Sequence, residues 1–413
     1  MTKRKILVTG SLGQIGSELV MFLRKEYGND NVIASDIEKK DVPKVIGSGP
    51  FEKLDVLDGK KTLEVCKKYK VNTIIHLAAL LSAVAEKNPQ LAYQINLTGL
   101  HNMLELSREQ KYSLFVPSSI AAFGPSTPAD KTPQDTIQRP TSMYGVTKVA
   151  GELLCDYYHQ KFGVDTRGVR FPGLISYEAL PGGGTTDYAV HIYYEALKQG
   201  AYTSFIKKGT LMDMMYMPDA LNAIFKLLEA DPAKLKHRNA FNITAMSFAP
   251  ETIAAEIKKH IPKFKMSYDV DPVRQAIADS WPNSLDDSCA KKEWGWKPKY
   301  NLESMTKDML EKLSEKLGIE LPNTKPSAVK VSTAKAPAAK KPAKPAKSAK
   351  EAKPAKPSSK APKADANKPA AKPSKAAAKK SNFISHKKHC WMCFTSIAIE
   401  MLEHLFKRTL GGL

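Results

Sequence analysis

Short apolar runs alternate with longer one-sided stretches through the first 173 residues. KILVTG (5–10) is apolar and β-branched and stops at glycine, which predicts a buried strand. QIGSELVMFLRKEYG (14–28) spaces its apolar residues three and four apart, as a helix with one buried face does, and ends at Gly28. The alternation then repeats. NVIASD (31–36), NTIIHLAA (72–79), SLFVPSS (113–119) and TRGVRFPG (166–173) read as strands, and residues 58–69, 88–110 and 144–163 as helices. Strands separated by helices of this length need crossover connections, hence a parallel sheet covered on both faces.

The expected fold class is therefore α/β, a Rossmann-type doubly wound parallel sheet over 1–173. From 174 to 322 the pattern loosens. TTDYAVHIYYEALKQG and MPDALNAIFKLLEA read as helices and RNAFNIT as a strand, which predicts a smaller α/β region on the substrate side. Beyond it, 323–385 is Lys/Ala/Pro low complexity with almost no apolar bulk, and is expected to be disordered. A last segment, 386–413, turns apolar again and has no assigned role.

Charge follows the same division. The net charge is +21, but seventeen lysines between Lys325 and Lys380 face only Glu351 and Asp365, so the body is close to neutral. A basic tail of this kind binds anionic polymers through counterion release; composition alone favours a solvated extension, so nucleic acid is not an expected partner. His386, His389, Cys390 and Cys393 match no common zinc spacing, and no metal is expected. The five scattered cysteines, Cys66, Cys155, Cys289, Cys390 and Cys393, argue for a reducing compartment. No apolar run reaches membrane-spanning length and no ordinary presequence is visible, so a soluble intracellular protein is expected.

The chemistry starts at VTGSLGQIG. Gly10, Gly13 and Gly16 lie between the first strand and the first helix. Glycine there allows a tight turn and close approach of a pyrophosphate to the helix N-terminus, with Gln14 and Ile15 in its first turn. Asp36 ends the second strand, where a carboxylate accepts ribose hydroxyls and repels a 2′-phosphate; NAD is the expected cofactor. Asp55 and Val56, at the expected end of a third strand, would lie near the adenine. Leu77, Ala78 and Ala79 end the fourth strand with small side chains.

In a doubly wound sheet the carboxyl edge also collects Ser118, Ser119 and the helix start at Tyr144. Tyr144 and Lys148 are four apart on one helix face. A nearby lysine cation and the nicotinamide charge are expected to lower the tyrosine from its ordinary pKa of about 10. Tyr144 would then serve as general base for an alcohol, with Ser118 or Ser119 holding the hydroxyl.

TGSLGQIG, SSIAAFG and YGVTK resemble the extended short-chain dehydrogenase/reductase family over about 1–320. The resemblance implies Ser119 as the catalytic serine beside Tyr144 and Lys148, Ser118 as its neighbour, and Asn96 of INLTG as a support of the cofactor site. RFPGLIS, PGGGTTDYAVHIYYEAL, MMYMPDAL and WPNSLDDS are similar to the branch of that family that oxidises the L-threonine β-hydroxyl with NAD. That similarity implies Ser82, Ser119, Tyr144, Gly184, Thr186 and Trp281 around the amino acid, and Pro172 and Leu174, with Gly173, against the nicotinamide. Residues 182–184 would form a hinge that closes over a small ligand. It further implies a homodimer, a CoA-dependent ligase that consumes the amino-ketone product, and a mitochondrial location in eukaryotic members. MDMMYMPDA lacks the Arg-Asp pair of the sugar epimerases. A nucleotide-sugar epimerase or dehydratase, and a dinucleotide-sensing scaffold without activity, remain the alternatives.

Overall fold

The protein is described by a computed structural model, which covers residues 4–38, 42–178, 180 and 182–321. The expectations for 323–413 lie outside these residues. The described chain falls in one compact unit, Met1–Lys330.

Strands β1 (Ile6–Thr9), β2 (Val32–Asp36), β3 (Phe51–Lys53), β4 (Thr73–His76), β5 (Ser113–Phe115), β6 (Ser118–Ser119) and β7 (Thr166–Arg167) come first. They are followed by β8 (Val169–Phe171), β9 (Gly173–Ile175), β10 (Ala201–Ser204), β11 (Met212–Tyr216), β12 (Phe241–Asn242), β13 (Met246–Phe248) and β14 (Lys265–Tyr268). The central sheet runs β3-β2-β1-β4-β5-β7, parallel throughout. The strand order reverses between β1 and β4, and such a switch point opens a crevice at the carboxyl edge. Side-chain alternation fills both faces. Ile6 and Val8 join the cluster with Leu19 and Leu23 of helix Gln14–Tyr27. Leu7 joins Leu100, Met103 and Leu104 of helix Gly99–Gln110 on the other side.

Two strands expected to be continuous are divided. Residues 113–119 break at Val116 and Pro117, since proline has no N–H for the ladder. Residues 166–173 split into β7, β8 and the start of β9. Gly168 lies where a Cβ would stand 2.3 Å from the Val116 carbonyl oxygen, so the backbones touch, and Pro172 separates β8 from β9. The pieces form small sheets of order β12-β8-β6 and β13-β11-β9, beside a β10-β14 pair. The expected helix over 88–110 is also interrupted. One π turn, Gln94–Thr98, separates Pro89–Tyr93 from Gly99–Gln110. The third strand ends at Lys53, short of Asp55.

The chain beyond 174 builds the substrate side and also returns to the first layer. Helix Met217–Glu229 packs on Gln14–Tyr27, with Phe225 edge-on to Phe22 at 5.8 Å. Glu229 accepts from Arg4 at 2.6 Å and from Tyr27 at 2.8 Å. Ile224, Leu227, Leu19 and Leu23 are fully buried, each stabilising by about 1.5–3 kcal/mol. A separate core beneath the cleft gathers Tyr188, Tyr193, Met212, Met214, Ile253, Met305 and Leu310. Among the described residues no helix is long and apolar enough to cross a membrane.

Candidate active site

A cleft of about 1090 Å³, open to solvent, lies at the β1/β4 switch point. Its walls carry Gly10, Gly13, Gln14, Ile15, Gly16, Leu77 and Ala79 at one end. Ser118, Ser119, Tyr144, Lys148, Pro172, Gly173 and Leu174 line the middle, and Ser82, Gly184, Thr186 and Trp281 the other end.

The glycine end is made of backbone. Gly10 has φ +66, and a Cβ there would stand 2.7 Å from Ala78 N. A Cβ at Gly16 would be 2.3 Å from the Gly10 carbonyl oxygen. Helix Gln14–Tyr27 starts at Gly13 with no acidic residue in its first turn, so its free N–H groups and positive dipole end face the cleft. The Gln14 Nε2 atom is buried without a partner. Asp36 accepts from Leu12 N at 3.0 Å and from Ile37 N at 2.9 Å, which leaves carboxylate lone pairs for a diol. These features fit a dinucleotide: an anion at the helix end, a donor beside it, and an acceptor at the ribose.

At the centre, helix Met143–Phe162 begins with Ser142 accepting from Gly145 N at 3.1 Å. Gly145 lets this helix end press against Ile120–Ala122; a Cβ would be 2.2 Å from the Ala121 carbonyl oxygen. The turn brings Tyr144 to the same cleft wall as Ser119, close enough for the Ser119 hydroxyl to act on the phenol. Burial pushes the Tyr144 phenol up to about 12, and the nearby Ser119 hydroxyl opposes the rise. This reverses the expected lowering. The Lys148 Nζ donates to the Pro117 carbonyl at 2.7 Å and lies 5.4 Å from the Tyr144 ring centre. Burial lowers Lys148 to about 8, against the pull of Glu152. Behind it, His76 is paired to Thr9 at 2.9 Å through Nδ1, while Nε2 has no partner. Burial and the Lys148 charge hold His76 down to about 3.

The third end is a loop over a helix start. Asp187 accepts from Gly183 N at 2.9 Å and Gly184 N at 2.5 Å and so closes the 182–184 turn. Gly173 packs under it; a Cβ would be 2.7 Å from Thr186 Cγ2. The Thr185 hydroxyl is buried without a partner, and Trp281 is buried at the wall.

Five expected residues stand off the cleft wall. Asp36 lies at the β2 end behind the glycine turn, and Ala78 backs Gly10. Asn96 brackets Leu80, accepting from its N–H at 2.8 Å and donating to its carbonyl at 3.2 Å, and donates to Thr147 at 3.1 Å. It braces the loop after β4. Asp55 is exposed and accepts from Leu57 N at 2.9 Å; Val56 is buried against Gly99. Ser118 lines the cleft, yet its hydroxyl donates to Glu152 inside a buried network with Arg170. The sequence reading missed Thr185 and Asp187. The signal for Asp187 was present: an aspartate closely following three glycines is positioned to cap their N–H groups.

The model of the NAD-dependent epimerase/dehydratase family matches residues 6–244. An uncharacterised epimerase/dehydratase of Staphylococcus saprophyticus is 60% identical over 313 residues, 76% of this chain and 98% of that protein. Among solved structures, the L-threonine dehydrogenase of Clostridium difficile is 66% identical, with TM-score 0.76, over 78% of this chain and all of that one. That of Phytophthora infestans is 51% identical, with TM-score 0.73, over 76% and 99%. With the glycine turn, Ser119, Tyr144 and Lys148 on one cleft, Asp36 behind the turn, and a family match across more than half its length, the chain belongs to the NAD-dependent epimerase/dehydratase family.

Proposed function

We propose that this protein is an NAD-dependent L-threonine 3-dehydrogenase, which converts the β-hydroxyl to the ketone of 2-amino-3-oxobutyrate. The observation that carries the reading is one cleft that gathers Ser119, Tyr144 and Lys148 with the glycine turn and the Thr186/Trp281 wall. The identities of 66% and 51% to structures named L-threonine dehydrogenase support the choice of substrate.

NAD, when bound, supplies the two-electron acceptor for the hydrogen on the carbinol carbon. The protein's part is proton handling and placement. Ser119 orients the substrate hydroxyl. Tyr144, as phenolate, takes its proton and passes it to solvent. Lys148, fixed on the Pro117 carbonyl, places a cation beside the ring. Thr185, Thr186 and the 182–184 turn close on the small zwitterion, and Trp281 covers it. A phenol near 12 is a weak source of phenolate, and a positive charge beside the ring, as the oxidised cofactor would bring, would lower it. Assembly as a homodimer and hand-over of the labile product to a CoA-dependent cleaving enzyme extend the same reading.

NADH formation from L-threonine tests it, beside turnover of a nucleoside-diphosphate sugar. Threonine-dependent NADH is the expected result; sugar turnover without it overturns the proposal in favour of an epimerase. Tyr144→Phe is expected to lower kcat by about 10²–10⁴-fold, the usual worth of general base catalysis, while NAD affinity stays within about twofold. Unchanged kcat would remove Tyr144 as the base.

A further inference from the structure

On the far side of the Ser118–Glu152–Arg170 network, four side chains from three segments converge. His237 precedes β12, Cys289 and Glu293 sit four apart on helix Ser288–Trp294, and Asp135 lies in the loop before helix Met143–Phe162. The ligand atoms of His237, Cys289 and Glu293 all lie within 4.8 Å of one another. We propose that this cluster is a site for a borderline-soft divalent cation of the zinc class, bound by His237 Nε2, Cys289 Sγ and Asp135.

The two imidazole nitrogens have different surroundings, and this assigns the roles. His237 Nδ1 donates to Glu293 Oε1. The second oxygen of Glu293 is also held, accepting from Lys236 N at 2.6 Å and His237 N at 3.1 Å. Glu293 is therefore spent on orienting the ring and is no first ligand. With the proton fixed on Nδ1, the lone pair of Nε2 points away from Glu293. It faces Cys289 Sγ at 4.0 Å and Asp135 Oδ2 at 3.5 Å. Zinc bonds of about 2.0–2.3 Å at tetrahedral angles separate N, S and O ligands by roughly 3.3–3.6 Å; His237 and Asp135 already stand at that spacing, and the exposed Asp135 side chain and Cys289 swing toward each other to complete the set. A carboxylate behind a ligating histidine is the usual outer support of such sites.

The surroundings agree with a cation. The carboxylates of Asp135 and Glu293 both reach the His237 ring, and negative charge gathered around the imidazole favours a cation there. Asp135 is exposed and Cys289 half-buried, which gives an entry path and leaves a fourth position for water. The consequence is a staple. The 129–135 loop already meets the 283–286 segment through Asn283 N to Ala129 O at 2.8 Å and Asp286 N to Thr132 O at 3.0 Å. The metal would tie both to His237, and the 283–286 segment lies just downstream of Trp281 on the cleft.

The test uses the full-length protein and Co²⁺ as the probe. Stoichiometric binding with a thiolate-to-cobalt charge-transfer absorption is expected. Cys289→Ser should abolish that band while keeping NADH formation, which shows the variant is folded. Glu293→Gln should weaken binding about 10- to 100-fold, the usual cost of losing an outer support. Cys390→Ser with Cys393→Ser should leave the band intact. The proposal fails if no band forms, if Cys289→Ser retains it, or if it vanishes with the two tail cysteines. A Tm that rises with Zn²⁺ in the wild type and not in Cys289→Ser is the matching result without a chromophore.

Discussion

The two ends of the cleft are built from different material. At the glycine end the wall is main chain: Gly10 and Gly16 sit where any Cβ would meet backbone at 2.7 and 2.3 Å. At the Thr186/Trp281 end the wall is side chain. A Cβ at Gly184 would meet Asp187 Oδ1 at 2.9 Å, the tip of a group that can turn aside, and one at Gly183 would meet nothing within 4 Å, although its φ of +96 favours glycine. The first wall suits a group shared by many reactions and has no freedom to change. The second, which the proposed function assigns to one small substrate, is held by a single carboxylate. Rigidity sits where the ligand is generic, and adjustability where it is particular.

Gly16→Val gives the largest expected effect on this contrast. The clash with a carbonyl that cannot move should weaken NAD binding by at least about 100-fold, or about 2.8 kcal/mol, in a calorimetric titration. Retention of NAD affinity within a few-fold would show that the glycine wall yields after all. Asp187→Ala comes next. It removes the acceptor for two N–H groups and frees the 182–184 turn, so KM for threonine should rise about 10- to 30-fold with NAD affinity unchanged. An equal loss in both affinities would mean the walls are mechanically one. Asp36→Ser is smaller and belongs to the one side chain by which the rigid wall reads identity. The preference for NAD over NADP in kcat/KM should fall by about tenfold, since the repulsion of a 2′-phosphate is removed.

The same contrast explains what the sequence disclosed. The glycine end is contiguous: turn, helix start and Asp36 fall within one βαβ unit, and local pattern exposes them. The centre was legible for the same reason, because Tyr144 and Lys148 share a helix. Elsewhere the determining contacts are far apart in the chain. Nothing near Ser118 announces that its hydroxyl bonds Glu152, because Glu152 is held by Arg170 eighteen residues on. The breaks at Pro117 and Gly168 were written as Pro and Gly, yet apolar runs on both sides hid them. The expectation for the tyrosine counted a lysine cation and the nicotinamide charge and left out the burial of the phenol, which raises it. Burial outweighs a lysine whose ammonium is committed to the Pro117 carbonyl.

Glu18, which ties the first helix to the chain just past β9 behind the cleft, gives the smallest effect. It stands on the first helix of the glycine wall and accepts from Ser176, just past β9. Burial raises its carboxyl to about 7 from an ordinary 4.5, with the Ser176 bond opposing. The folded state therefore keeps a proton that the unfolded chain releases. Stability from this group is complete below pH 4.5 and is lost as pH rises through 7. Partial exposure reduces the contribution to about 1 kcal/mol, or about 2 °C in Tm. Glu18→Gln should flatten the fall in Tm between pH 5 and 8 and leave the mutant the more stable protein at pH 8. Parallel Tm curves for the two proteins would show that the carboxylate is already hydrated, and that the seam behind the cleft is open to water.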